Sequence, residues 1–230
     1  MSDVVLFRAK ELRRGEHVVL RDVDLSLQRG GFHCIIGANG TGKTSLLRAM
    51  CGDPIAGVDL LTIDGHETKG LDAAHLAELR AVLPQTLAPA FPYVVRDVVR
   101  WGAYVRGGAE EADVDAVLQQ LGIADLADRA VTRLSGGQWA RVRIAQAFLQ
   151  RPAVLFADEP DAALDRSARH MLFNALAESH QTVVAVTHDL ESARRYATHI
   201  IGLRDGNVAF HRDCANVSAE DCEALWDETR

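Results

Sequence analysis

The stretch "GANGTGKTSLLRAM", Gly37 to Met50, decides how this chain is read. Glycines at 37, 40 and 42 remove side chains where a compact anion would sit. They also permit the positive φ values that turn successive backbone N–H groups inward. Just ahead, "FHCII" (Phe32 to Ile36) is a short apolar run that reads as a buried strand. Just behind, Leu46, Leu47 and Met50 recur at helical spacing, so the loop feeds a helix N-terminus. Strand, G-x-x-x-x-G-K-T and helix together make the P-loop pattern in the context it requires. The expected cradle runs through Gly37, Ala38, Asn39, Gly40, Thr41, Gly42, Lys43, Thr44 and Ser45. Lys43 should reach the β- and γ-phosphates of a nucleoside triphosphate, and the Thr44 hydroxyl should ligate Mg2+. The competing reading, a glycine turn that happens to precede a lysine, is disfavoured by the match on both sides.

With 230 residues the chain fits one domain, or one domain with an inserted subdomain. A formal net charge of −7 supplies no electrostatic footprint for DNA or RNA, so a nucleic-acid partner is not expected. No run approaches the roughly 18 apolar residues that a membrane span needs. The first residues, "MSDVVLFRAKELRR", lack the order of a signal peptide. A cytosolic chain is expected, or one held at a membrane only by partners. Four cysteines without a CxxC pair fit a reducing compartment, with Cys34 and Cys51 packing in the core. The spacing of His211, Cys214 and Cys222 matches no zinc pattern.

Working outward, "VVLRDVDLSL" alternates Val23, Leu25 and Leu27 with Asp22, Asp24 and Ser26, as an antiparallel strand with one wet face does. "GVDLLTIDG" continues the β material, "DAAHLAELR" reads as a helix, and "AVLPQ" as a strand closed by Pro84. From Val94 to about Gln150 the pattern is helical: "VVRDVVRWGAYV", "EEADVDAVLQQLG" and "GGQWARVRIAQAFLQ". Strands and helices then alternate, which argues for a mostly parallel sheet covered by helices. Asp205-Gly206 signals a tight turn between short strands, and Ser218 to Asp221 a capping box opening a final helix. The layout is an α/β core (1–84 and 151–230) with an antiparallel β part and a helical insertion over 85–150.

Two further constellations carry chemistry. "AVLFADEP" is a buried strand that delivers Asp158 and Glu159 at its C-terminal end, the edge of an open α/β sheet where ligands bind. Asp158 suits a Mg2+ site, and Glu159 is placed to orient and deprotonate an attacking water. In "LSGGQ", Ser135 stands where an N-cap would, and Gly136 and Gly137 leave helical N–H groups uncovered. A second anion cradle without a lysine suggests a triphosphate gripped from two sides, by two copies of the protein.

With those residues in view, the chain resembles the ATP-binding subunits of ABC transporters over nearly all its length. "GANGTGKT" resembles their Walker A, "LSGGQ" their signature and "VLFADEP" their Walker B. Gln85 resembles their Q-loop glutamine, "ALD" (163–165) their D-loop, and His188 their switch histidine. The resemblance implies a P-loop NTPase, RecA-like core and a head-to-tail dimer binding two ATP molecules. Each ATP would lie between Lys43 and Thr44 of one copy and Ser135, Gly136, Gly137 and Gln138 of the other. Thr44, Gln85 and Asp158 would arrange Mg2+, Glu159 would be the base, His188 would contact the γ-phosphate, and Asp165 would connect the two sites. Closure on ATP would be passed to transmembrane permease subunits, with the chain peripheral on the inner face of the membrane.

At three places the residues depart from that pattern. Where the family carries an aromatic that stacks on adenine, Arg13 or Arg14 falls here, and a guanidinium can stack on a base. Asp161 replaces the threonine of "DEPTSALD" and is expected to be a solvated surface acid, with modulation of Mg2+ as the alternative. Trp139 follows the signature and is expected to pack partly under the helical insertion. After Gln85 the run "TLAPAFPYVVRDVVRWGAYVRGG" is apolar for a connection, so Phe91, Pro92 or Tyr93 is a candidate partner contact. Its wording resembles the ATPases of iron-siderophore, haem and cobalamin importers. A non-transport ABC ATPase of the iron–sulfur assembly type and an exporter ATPase are the alternatives.

Overall fold

The computed structural model describes residues 2–85, 89–162, 164–179 and 181–226. Ala163 of the "ALD" stretch and residues 86–88 of the segment after Gln85 lie outside the described residues.

Two sheets enclose one helix. The first is antiparallel, built from β1 (Asp3–Arg14), β2 (His17–Gln28), β4 (Leu60–Ile63) and β5 (His66–Glu67), in the order β2-β1-β4-β5. Its alternation is as expected: Val23, Leu25 and Leu27 are buried while Asp22, Asp24 and Ser26 face water. The second sheet contains β3 (Phe32–Gly37), β6 (Arg80–Leu83), β7 (Val154–Asp158), β8 (Thr182–Val186), β9 (His199–Arg204) and β10 (Asn207–Asp213). Their order is β10-β9-β3-β8-β7-β6, parallel throughout except for β10. β10 returns beside β9 through the Asp205-Gly206 turn, where both residues are left-handed (φ 49° and 72°), as a two-residue hairpin needs.

Strand side chains alternate between two cores. Ile35, Phe156, Val184 and Val186 point toward the antiparallel sheet and bury Leu46, Leu47 and Met50 of α1 (Lys43–Met50) between the layers. Cys34, Ile36, Leu155, Ala157 and Ala185 point the other way, against the helices. Those include α3 (Val95–Arg100), α4 (Glu111–Gln120), α5 (Gly136–Gln150) and α6 (Arg166–Glu178), while α2 (Ala73–Leu79) precedes β6. α7 (Leu190–Tyr196) follows β8, and α8 (Ala219–Glu223) is opened by the Ser218–Asp221 capping box. The helix expected through "VVRDVVRWGAYV" is α-helical only to Arg100 and continues as a 3-10 turn, Trp101–Arg106. A Cβ at Gly102 would stand 1.9 Å from the Gln146 carbonyl oxygen of α5, so glycine is what lets this turn lie backbone to backbone on that helix. Trp139 is half-buried against the helical-side core, and Cys34 and Cys51 are buried, all as expected.

One buried feature was not singled out from the sequence. His33 on β3 is fully buried, stacked on His199 at 4.7 Å between ring centroids and 5.8 Å from His211. Its Nε2 lies 3.3 Å from the Gln28 carbonyl oxygen, while Nε2 of His199 is 2.9 Å from Asp213 Oδ1. Burial, with His199 and His211 adding to it, pushes the His33 imidazole down to about 4. The unfolded chain takes up a proton there near pH 6.5, well before the folded chain does. Stability held at neutral pH is therefore lost as the pH falls toward 4, by on the order of 2 kcal/mol at pH 5. Urea unfolding at pH 7.5 and pH 5 checks this: His33→Gln should lose less stability between the two than the wild type, and equal losses would refute it.

Candidate active site at the sheet edge

The loop after β3 passes over the C-terminal edge of the parallel sheet. Gly40 has φ 80° and would meet nothing with a Cβ, so its backbone conformation alone requires glycine. Gly42, at φ 97°, caps α1 without a side-chain hydrogen bond, leaving the first N–H groups of the helix for an external acceptor. A Cβ on Gly42 would stand 2.7 Å from Val19 Cγ1, so the β1–β2 hairpin is seated directly on the loop.

Lys43 folds back into this cradle. Its Nζ donates to the carbonyl oxygens of Gly37 (2.9 Å) and Ala38 (2.8 Å), which uses two of its three donors. The side chain is buried; burial lowers its proton affinity, while Glu159 and Asp158 act in the opposite direction. Thr41 Oγ1 donates to the Ala38 carbonyl oxygen at 2.9 Å and tightens the same turn.

Neighbouring strand ends supply the acidic side. Thr44 Oγ1 donates to Asp158 Oδ1 at 3.1 Å, and burial holds the Asp158 carboxyl above the usual carboxylate range. The Thr44 hydroxyl and Asp158 carboxylate are hard oxygen donors of the kind Mg2+ takes, and a divalent charge would offset the desolvation of Asp158. Glu159 occupies the left-handed region at φ 44°, which costs a non-glycine residue about 1–2 kcal/mol. Its N–H donates to the Val186 carbonyl oxygen at 3.1 Å and holds it there. Its carboxylate lies 2.8 Å from His188 Nε2 and accepts from Gln85 Nε2 at 3.4 Å. Lys43, Thr44, Gln85, Asp158, Glu159 and His188 are thus brought into one linked cluster.

A cavity of about 350 Å3 opens over it, lined by Arg14, His17, Val19, the loop, Glu159 and His188. Ser135 and Asp165 are not among its lining residues. Ser135 is the N-cap of α5, closing a capping box in which Gln138 Oε1 accepts from the Ser135 N–H at 2.9 Å. Asp165 caps α6 by accepting from the Ala168 N–H at 2.8 Å. A Cβ on Gly137 would meet Ala168 Cβ at 3.0 Å, so the two helix starts lie side by side.

The sequence profile of the ABC transporter family matches residues 20–162, more than half the chain. The chain belongs to the ABC transporter family. It is similar to the hemin import ATP-binding protein HmuV of Burkholderia lata, at 36% identity over 87% of this chain and 84% of that protein. It is also similar to the hemin import ATP-binding protein HmuV of Streptomyces coelicolor, at 36% identity over 85% of this chain and 72% of that protein. A nucleotide-free ATP-binding cassette from an ABC transporter shares the fold, with a TM-score of 0.81 and 22% identity over 97% of this chain and 94% of the other. The P-loop core, antiparallel β subdomain and inserted helical subdomain are those of an ABC ATPase, and the chain binds and hydrolyses ATP.

One expectation for this ABC ATPase narrows to Arg14, and another, for Asp161, needs correction. Arg13 does not line the cavity: it is paired with Glu11, and its N–H donates to the Ala56 carbonyl oxygen at 2.9 Å. Arg14 does line it, together with His17 and Val19, which the sequence reading missed. The signal was available in the turn Arg14-Gly15-Glu16-His17, because a tight hairpin sets its two flanking residues opposite each other. A guanidinium and an imidazole, either of which can stack on a base, therefore stand opposite each other at the cavity. Asp161, expected in solvent, is only 5% exposed, because Thr187 and Arg169 close over its carboxylate.

Lys43→Ala should lower ATP affinity by about 10- to 100-fold, the worth of a lost charged hydrogen bond; equilibrium binding of a fluorescent analogue measures it, and unchanged affinity would contradict the phosphate role. His17→Ala should cost about 1–3 kcal/mol of affinity for the same nucleotide, and an unaltered dissociation constant would remove His17 from the base site.

Proposed function

We propose that this ABC ATPase powers import of a metal chelate of the haem type, acting at the inner face of the membrane through transmembrane permease subunits. Relatives named hemin import ATP-binding proteins support that cargo over export or a non-transport role. No helix among the described residues is long and apolar enough to cross a membrane, which is consistent with a separate membrane partner. Phe91, Tyr93, Trp101 and Tyr104 are exposed, with Tyr93 edge-on to Trp101 at 4.8 Å between ring centroids. Exposed clustered aromatics mark an interface, and this patch is the surface offered to the permease. Val95, Val98 and Val99 from the same run are core residues instead.

In the proposed mechanism the whole chain works as one cassette, with 1–84 and 151–230 forming the core and 85–150 the helical insertion. The Gly37–Ser45 cradle and Lys43 bind the β- and γ-phosphates. Thr44, Asp158 and Gln85 would hold Mg2+, which would supply charge neutralisation on the phosphates. Glu159 orients and deprotonates the attacking water, and His188 contacts the γ-phosphate. Ser135, Gly136, Gly137 and Gln138 act on ATP held by a second copy, and Asp165 links the two sites. The single observation that carries this reading is the contact of Glu159 with both Gln85 and His188 at the mouth of the Lys43 cradle.

Glu159→Gln tests it. The variant should keep ATP affinity, lose turnover by about 10²- to 10⁴-fold as a missing general base does, and accumulate as a dimer on size-exclusion chromatography in Mg-ATP. A variant that hydrolyses at the wild-type rate, or stays monomeric at saturating Mg-ATP, would overturn the proposal.

A further inference from the structure

Asp161 lies two positions beyond Glu159 and is almost wholly out of water. A carboxylate in that position needs compensating partners. Its Oδ2 accepts a hydrogen bond from the Thr187 hydroxyl at 3.2 Å. The same oxygen faces Arg169 Nε at 3.3 Å, a contact that is ionic rather than a directed hydrogen bond. Arg169, one turn into α6, extends further and donates from Nη1 to Asp189 Oδ2 at 3.4 Å. The Ser192 hydroxyl donates to that Asp189 oxygen at 2.6 Å, and the Asp189 N–H donates to Thr187 Oγ1 at 3.0 Å. Thr187 and Asp189 are the two residues on either side of His188. Both neighbours of His188 are therefore fastened to one ion pair, and that pair is anchored in the turn that carries Glu159.

We infer that the Asp161–Arg169 ion pair positions His188 Nε2 against Glu159 Oε1 and so sets the geometry of hydrolysis without touching the nucleotide. The inference rests on the roles given to Glu159 and His188 under the proposed function. His188 is itself exposed, so its own packing does not hold it. Clamping the backbone on both sides leaves only its side-chain torsions free. Reacting groups tolerate little misplacement, and a shift of about 1 Å caused at a distance can cost 10²-fold in rate. Neither Asp161 nor Arg169 lines the nucleotide cavity, so turnover rather than affinity carries their effect.

Asp161→Asn keeps the shape and an acceptor for Thr187, while Arg169→Lys keeps the charge and shortens its reach, so one serves if the other does not fold. In the full chain with Mg-ATP, each should lower kcat by about tenfold or more while KM for ATP stays within about twofold. The imidazole Cε1–H resonance of His188, assigned by its loss in His188→Gln, should shift in both variants. A folded variant with kcat within about twofold of wild type, a fall in kcat matched by a rise in KM, or an unmoved His188 resonance would overturn the inference. Wild-type turnover in Glu159→Gln would instead strike at the role of Glu159, and the His188 resonance would then decide the brace alone.

Discussion

The parallel pairing of β3 between β8 and β9, with β7 beyond β8, is the constraint on which the rest of this protein depends. Val186 sits opposite both Ile35 of β3 and Asp158 of β7, so β7 and β8 finish level and β3 runs on two residues past them at the same edge. The chain leaves those ends as the Lys43 loop, the Asp158-Glu159 turn and the His188 loop. Residues far apart in sequence meet there because the strands do. Strand period makes the register unforgiving: a slip of one residue would exchange the two cores and turn Asp158 inward. The two cores therefore enforce the site, with Phe156 committed to one face and Leu155 and Ala157 to the other.

The edge concentrates groups that are costly to hold singly. Lys43 is buried, Asp158 is desolvated, and Glu159 sits in a backbone conformation that suits glycine. Each is offset by a neighbour: loop carbonyls take the ammonium, the Thr44 hydroxyl takes Asp158, and the Val186 carbonyl takes the Glu159 N–H. The arrangement matches what phosphoryl chemistry asks of a protein, which is positioning and charge placement more than covalent chemistry. Beneath it the Asp161–Arg169 pair extends the same logic one layer deeper.

How far the sequence could be read depended on whether a residue's role was local. Gly40, Lys43 and Thr44 act through backbone geometry and spacing that nine residues specify, and they are where the motif puts them. The N-cap at Ser135 and the capping box at Ser218 are equally local and are present as read. Asp161 was misjudged because its burial comes from Thr187 on the far side of β8 and Arg169 on α6, neither adjacent in sequence. His17 was missed because its place over the cradle depends on the β1–β2 hairpin resting on Gly42. The 3-10 turn at Trp101 lies directly against α5, more than forty residues away, a contact that no local pattern carries.

By itself, then, the sequence determined the phosphate loop, the strand that ends in two carboxylates, the signature turn, and the family they announce, since each is carried by neighbours along the chain. Tertiary structure alone decided which side chains meet: His188 on Glu159, His17 rather than Arg13 beside the cradle, and His33 of β3 stacked on His199 with His211 tilted against it. The division follows from the range of the forces. Backbone conformation and capping act within a turn or two, whereas burial and side-chain contact exist only once strand order has brought distant segments together.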